Sequence, residues 1–444
     1  MPDDGFVQFN KHIIEYMRGV YVLLLISLLG YTGRVSGQES VTITQCYEWA
    51  RANYPQIHQM GLIDQTERYS LSNVGKAWLP QLSVSGKASY QSDVTKLPFD
   101  GDKISSLLPG FEIPSLSKDQ YQVVAQVDQT IWDGGSTRSA RALTRAEAIA
   151  NREQLESELY ALNDRVNQIY FGCLLQDELI RQNALLQKEL QVNIERIEAM
   201  MENGVANQSD LESMEVELLN ARQNEIELRA SRTVYRQMLA TFINKPLTDQ
   251  VVLKTPESPE RSLSTQINRP ELRALDAKSE WIETQNKQVT AGLMPRIGAF
   301  VQGGYGRPGL NMLEDSFEPY YVAGVRLSWN LGKLYTLKND RRKIEVSRRQ
   351  IDVQRETFLF NTRLQLLQQN TEIKKMTDLM RADDDIIRLR TSIKQAAEVK
   401  LENGVISVTD LIREINAEDM ARQTAAAHRV QRLMTIYNYM YTTN

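Results

Sequence analysis

The stretch MENGVANQSDL (residues 201–211) returns as LENGVISVTDL (residues 401–411), with Glu-Asn-Gly-Val and Asp-Leu at identical offsets. Helical sequence flanks both, so the chain reads as one plan used twice. The duplication carries outward. Pro55 in Asn53-Tyr54-Pro55 matches Pro270 in Asn268-Arg269-Pro270, while Pro80 and Tyr90 match Pro295 and Tyr305, all at an offset of 215. From Tyr121 and Tyr321 onward the offset is 200. The difference lies in residues 91–120 of the first copy against 306–320 of the second, thirty residues against fifteen. A length change confined to one place marks a surface loop. The first repeat is placed at 38–250 and the second at 270–444, joined by a linker at 251–269.

Composition excludes several function classes. With 52 basic and 56 acidic residues the net charge is −4, and no polyanionic partner such as nucleic acid is implied. Two cysteines, Cys46 and Cys173, make no disulfide framework. His12, His58 and His428 are too scattered to suggest a metal site, and no cofactor is expected. Neither a nucleophile–base constellation nor a paired carboxylate stands out, so no enzyme is predicted. Gly303-Gly304-Tyr305-Gly306 lacks the Gly-Lys-Ser/Thr of a phosphate loop and reads as strand end and loop. Arg341-Arg342-Lys343 with Arg348-Arg349, interrupted by Glu345, reads as a solvated helix start. Asp383-Asp384-Asp385 reads as a solvated helix face, in preference to a divalent-ion site or lumen lining.

Near the N-terminus, Val20 to Leu29 is an apolar run preceded by Arg18 and followed by the small-residue pattern Val35-Ser36-Gly37. It is too short to span a bilayer and reads as a secretory signal peptide within 1–37, with Met17 as the expected start of translation. No other stretch suits a transmembrane helix. A further encounter with a membrane must therefore use strands.

Helical patterns occupy 42–77, 137–202 and 207–243, then 270–292, 335–402 and 407–441. Leu155, Leu159, Leu162, Val166, Ile169 and Cys173 step by 4, 3, 4, 3, 4, a heptad stripe for coiled-coil packing. An unbroken helix over 137–202 would be about 100 Å long, more than any compact domain spans, so it belongs to a rod or tube. Between the helices the pattern alternates with period two. Leu82, Val84, Gly86, Ala88 and Tyr90 form one apolar set, and Tyr121, Val123, Ala125, Val127 and Ile131 another. Ile297, Ala299, Val301 and Tyr305, then Tyr321, Ala323, Val325, Leu327, Trp329 and Leu331, repeat it more loosely. Runs of about eleven residues suit tilted strands crossing a bilayer. Tyr90, Tyr121, Tyr305, Tyr320 and Tyr321 bracket the loops, and Trp78, Trp132 and Trp329 the helix-facing ends, as two interfacial girdles. A soluble sandwich is the competing arrangement, but such folds have no place for helices this long.

Four membrane-length strands cannot stand alone. Each open edge in lipid leaves unpaired backbone groups costing several kcal/mol apiece, so chains must share one barrel. Two chains would give eight strands, nearly filled by side chains, and three would give twelve with a lumen; the polar strand faces favour the wetter option. At the far end, Asn203-Gly204-Val205 and Asn403-Gly404-Val405 are read as left-handed turns between antiparallel helices. Asn207 and Ser407 would cap the next helix, with Asp210 and Asp410 as capping-box carboxylates.

The opening from Ala50 to Pro55, the strand-leading Pro80 and Pro295, Trp132-Asp133-Gly134-Gly135 before a long helix and the twin Asn-Gly-Val turns resemble the TolC family of outer-membrane efflux and secretion channels over 38–444. The resemblance implies a homotrimer with a twelve-stranded β-barrel, four strands per chain, in outer-membrane lipid. A periplasmic α-helical barrel would continue it in a Gram-negative cell. It implies a passive conduit in a tripartite efflux pump or type I secretion system. The tip turns would dock a periplasmic adaptor (membrane fusion protein) linked to an inner-membrane transporter of RND or ABC type. It also makes Asp410, with Asp210 its counterpart, a periplasmic gate, although Arg413 stands where a second acidic residue is expected. Trp329-Asn330-Leu331-Gly332-Lys333 replaces the Asp-Gly-Gly ending and predicts a turn tighter by a residue or two. The alternative is a soluble periplasmic coiled-coil scaffold, extractable without detergent.

Overall fold

The computed structural model describes residues 40–94, 117–259, 264–311 and 314–444. The expected leader at 1–37 and most of the longer loop lie outside the described residues. In chain order the first copy runs β1 (Ser40–Val41), α1 (Ile43–Asn53), α2 (Gln59–Gly75), β2 (Gln81–Tyr90), β3 (Asp119–Trp132), α3 (Ser136–Tyr160), α4 (Leu162–Glu202) and α5 (Gln208–Ile243). The second runs β4 (Val252–Leu253), α6 (Pro270–Ala291), β5 (Arg296–Arg307), β6 (Glu318–Ser328), α7 (Leu337–Glu402) and α8 (Val408–Thr443).

Two helical expectations need correction. The 42–77 pattern splits at Tyr54-Pro55, because the proline ring disfavours helix at the preceding residue; Tyr54 is extended at ψ 128°. The 137–202 helix loses its regular hydrogen bonding at Ala161, beside Tyr160, whose hydroxyl donates to the Tyr441 carbonyl at 2.9 Å. The second-copy helix, α7, is the one that runs 66 residues unbroken. The linker is more than a spacer, since β4 pairs in parallel with β1. Val251 and Leu253 there are buried in the core of Cys46, Val166, Tyr170, Phe171 and Leu239. The heptad stripe holds throughout: all six of its residues are buried. Cys46 and Cys173 are free buried thiols, each pushed up to about 12, first by burial.

One antiparallel sheet runs β2-β3-β5-β6. Val84 lies opposite Ala125, Ala125 opposite Gly303 and Gly303 opposite Tyr321, so these share a face. That face also carries Leu82, Val123, Val301, Val325 and Leu327, all exposed. The other face presents Lys87, Gln122, Asp128, Gln302 and Arg326. Among the described residues no element covers the apolar face, and β2 and β6 each keep one edge unpaired. Because directions alternate over four strands, β6 of one copy meets β2 of the next antiparallel, and identical copies close into an edgeless barrel.

The upper helices continue the strand order. α2 packs on α3, α3 on α6 and α6 on the start of α7, below β2, β3, β5 and β6 respectively. Lower down, α4 pairs with α5, α7 with α8, and α8 joins the two pairs through α4.

Candidate functional site

At the barrel–helix junction, Asp133 turns β3 into α3. Its Oδ1 accepts from the Gly135 amide at 2.9 Å and its Oδ2 from the Thr137 amide at 2.6 Å, with Gly134 and Gly135 at φ 66° and 83°. Three residues make this turn. The second copy takes eight, 329–336, so it is longer rather than tighter. It lacks two glycines for positive φ, and instead Asn330 accepts from the Gly332 amide at 3.1 Å and opens a 3-10 turn.

Aromatic side chains gather at both ends of the sheet. Tyr90, Tyr121, Tyr305 and Tyr321 stand at the loop end of the apolar face, and Phe317, which sequence reading missed, stacks between Tyr305 (5.7 Å) and Tyr121 (6.4 Å). Tyr320 is on the polar face instead. Its hydroxyl receives Gln122, and its ring occupies the space a Cβ at Gly304 would need. The Gly303–Gly306 run is therefore inside β5, where missing side chains make room for a lumen tyrosine. At the other rim, a register shift between Thr130 and Trp132 brings Trp132 opposite Ile297 on the apolar face. The Trp78 carbonyl accepts from Gln129 at 2.9 Å, and Trp329 donates to the Leu293 carbonyl at 2.9 Å.

Both tips form the same structure. Gly204 N–H donates to the Met201 carbonyl and Val205 N–H to that of Met200, each at 2.9 Å; Gly404 and Val405 repeat this with Leu401 and Lys400. This is the paired closure of a left-handed helix end, with φ 72° and 67° at the glycines. Asn203 and Asn403 side chains hold the Ala199 and Val399 carbonyls at 2.7 Å. Val205 and Val405 are left exposed. Gly404→Ala should destabilise the α7–α8 end by about 1–2 kcal/mol through left-handed strain, read as faster amide exchange over 398–412.

Asp210 and Asp410 both close capping boxes. Asp410 accepts from the Ser407 amide (3.2 Å) and hydroxyl (2.8 Å) and lies 3.5 Å from the Arg413 guanidinium. The Ser407 hydrogen bonds hold its carboxyl below the usual range, and Arg413 adds to this. In the first copy the Asp210 carboxylate accepts from the Asn207 amide at 3.1 Å, and the Asp210 amide donates to Asn207 Oδ1 at 3.1 Å.

Above the tips sits a cluster that sequence reading missed. Glu418 of α8 is 2% exposed and meets Lys394 of α7 at 2.7 Å, Thr391 at 2.5 Å and Arg422. Lys394 also reaches Glu189 of α4, joining the two helix pairs. Burial opposes charge on Glu418, but Lys394, Thr391 and Arg422 outweigh it and hold the carboxyl low. Lys394 is likewise desolvated, yet its two carboxylates raise it. The signal was an acid in an apolar stripe: Leu411, Ile415, Glu418 and Ala425 all lie on one face. Asp383 similarly turns inward to His428 Nδ1 at 2.7 Å, while Asp384 and Asp385 stay exposed, so only part of that run is a solvated face. Arg348 and Arg349 pair with Glu283 and Glu345. Among the described residues no group of side chains could hold a metal, and no helix is long and apolar enough to cross a membrane.

The family model described as outer membrane efflux protein matches residues 46–245, essentially the whole first repeat. No curated protein sequence matches. Several solved structures share the fold. CusC is 14% identical, with 90% of this chain and 92% of that one aligned at a TM-score of 0.64. The Campylobacter jejuni CmeC outer membrane channel is 11% identical, covering 90% and 85% at 0.61. The open state of the Neisseria gonorrhoeae MtrE outer membrane channel is 14% identical, covering 90% and 88% at 0.60. A duplicated helix–hairpin–helix plan and one sheet with an apolar and a polar face agree with these matches: residues 46–245 are similar to the outer membrane efflux protein family, and the chain has the fold of the solved outer-membrane channels.

Proposed function

We propose that the chain works as the outer-membrane component of an efflux or secretion assembly, a passive homotrimeric conduit with no bond chemistry of its own. The observation that carries this is the β2-β3-β5-β6 sheet, which has an uncovered apolar face, a polar face and two unpaired edges. Three copies give twelve strands and a hydrated lumen. The helices extend the tube from the opposite end, and the upper order α2-α3-α6-α7 supports their closing in the same sense as the strands. The exposed Val205 and Val405 on rigid glycine turns suit docking of a periplasmic adaptor, which would connect to an inner-membrane transporter. Splaying of the helix pairs at Gly204 and Gly404 would open the tube.

The Asp410 carboxylate has two candidate duties, gate and helix cap. Its hydrogen bonds to Ser407 and the proximity of Arg413 favour the cap. Detergent-extracted protein should migrate as a trimer and conduct in planar bilayers. Asp410→Asn should leave conductance and cation preference within about twofold, because the amide oxygen still caps. A several-fold rise in conductance would restore the gate. A water-extractable monomer that never conducts would instead point to the periplasmic scaffold.

A further inference from the structure

The outer surface of the barrel–helix junction carries a groove of about 1320 Å³ between α3 and α6. Arg138, Arg141 and Arg145 line it from α3 at intervals of three and four, which puts them on one face, and Lys287 lines it from α6. Among the described residues none of these four cations has an acidic partner, whereas Arg348 and Arg355 on α7 pair with Glu283 and Asp276. The one carboxylate in the lining, Asp133, is held by the amides of Gly135 and Thr137. It also closes the α3 N-terminus, so the four side chains, not the helix end, are the attractors for an anion.

Three further observations narrow the occupant. Trp78 and Trp132 form the membrane-side rim, and Trp132 shares the apolar face of the sheet, so the groove opens where a bilayer surface would lie. Met294 and Ala291 continue the lining in apolar surface toward that rim. At this level the helix order is α2-α3-α6-α7, so in the proposed trimer copies would join at the outer members, α2 and α7. A neighbouring copy therefore leaves the α3–α6 groove uncovered.

We propose that this groove holds the phosphodiester headgroup of an anionic glycerophospholipid from the periplasmic leaflet, with the acyl chains rising past Trp132 along the apolar strands. The inference rests on the trimeric membrane conduit proposed above. Charge selects the anion, and the tryptophan rim selects a lipid over a free ion.

Native mass spectrometry of the full-length trimer in detergent tests it, with added phosphatidylglycerol or phosphatidylcholine. Wild type should retain phosphatidylglycerol selectively, up to one per chain. Lys287→Gln should weaken retention about fivefold and Arg138→Gln/Arg141→Gln/Arg145→Gln by well over tenfold. Millimolar inorganic phosphate should leave the lipid in place. Displacement by phosphate, or equal retention of phosphatidylglycerol by wild type and Lys287→Gln, overturns the proposal. The same spectra separate the two readings. Monomer throughout sinks the conduit and the groove with it, while an intact trimer indifferent to these substitutions sinks the groove alone.

Discussion

Glu418→Ala is expected to destabilise the helical tube by about 3–5 kcal/mol, the range for removing one partner of a buried ion pair. Lys394 is 12% exposed and would keep only Glu189, while the carboxylate that receives it at 2.7 Å disappears. Thr391 and Arg422 lose the same acceptor. Because Lys394 on α7 reaches α4 and α8 together, the loss should fall on the joint between helix pairs rather than within either one. Denaturant unfolding of the detergent-solubilised protein measures the size of the effect, and amide exchange over 185–200 and 385–420 measures its location. Replacing Glu189, Lys394 and Glu418 together with leucine or methionine should recover most of the loss, since no buried charge is then stranded. A Glu418→Ala effect below 1 kcal/mol would mean that water solvates the cluster.

The same region has a pH dependence with two opposing signs. Asp419 is pushed up to about 6 from its ordinary 3.8, first by burial and then by Glu189 and Glu418, with Gln423 and Arg422 pulling the other way. A carboxyl with a raised folded value binds its proton more tightly when folded. Its stabilisation is therefore largest below about 3.8 and fades as pH rises through about 6. Glu418 is depressed, so its contribution is present above the ordinary 4.5 and is lost as pH falls through its lower folded value. Between pH 4 and 6 the Asp419 effect should dominate. Asp419→Asn should flatten the profile there by about 1–2 kcal/mol, discounted for partial exposure.

What was legible in the sequence follows from periodicity and doubling. The heptad stripe from Leu155 to Cys173 and the alternating sets around Val84 and Val301 are local signals, each repeating within a few residues, and the structure places them as read. The twin turns were legible because Gly204 and Gly404 need left-handed backbone and stand two hundred residues apart in matching context. What failed was non-local. Tyr320 and Tyr321 both carry an aromatic ring, and only strand parity, fixed by Tyr321 opposite Gly303, sends one to each face. The Lys394 cluster joins residues 205 and 24 positions away, so spacing could single out Glu418 in its apolar stripe but not name its partners. The β1–β4 pair is two residues long on each side, too short to show a period.

The face assignment has the largest consequence, and Val301→Arg is its sharpest test. Val301 sits mid-strand in β5, opposite Val127 and Ala323, and is 54% exposed on the apolar face. A charged residue on the lipid side of a barrel costs about 2–4 kcal/mol at the bilayer midplane. Symmetry repeats it in every copy, so a trimer would lose roughly 6–12 kcal/mol of insertion free energy. Gln302→Arg, one residue along, points into the polar face beside Gln126 and should cost little. Val301→Arg is thus expected to abolish heat-resistant trimer in the outer-membrane fraction, while Gln302→Arg assembles normally and shifts the channel toward anions. If both variants assembled alike, the register that places Leu82, Val123, Val301 and Val325 together in lipid would be wrong. If only Gln302→Arg failed, the sheet would be inside out. The pair decides between these because adjacent strand residues differ in nothing but the side of the barrel wall on which they stand.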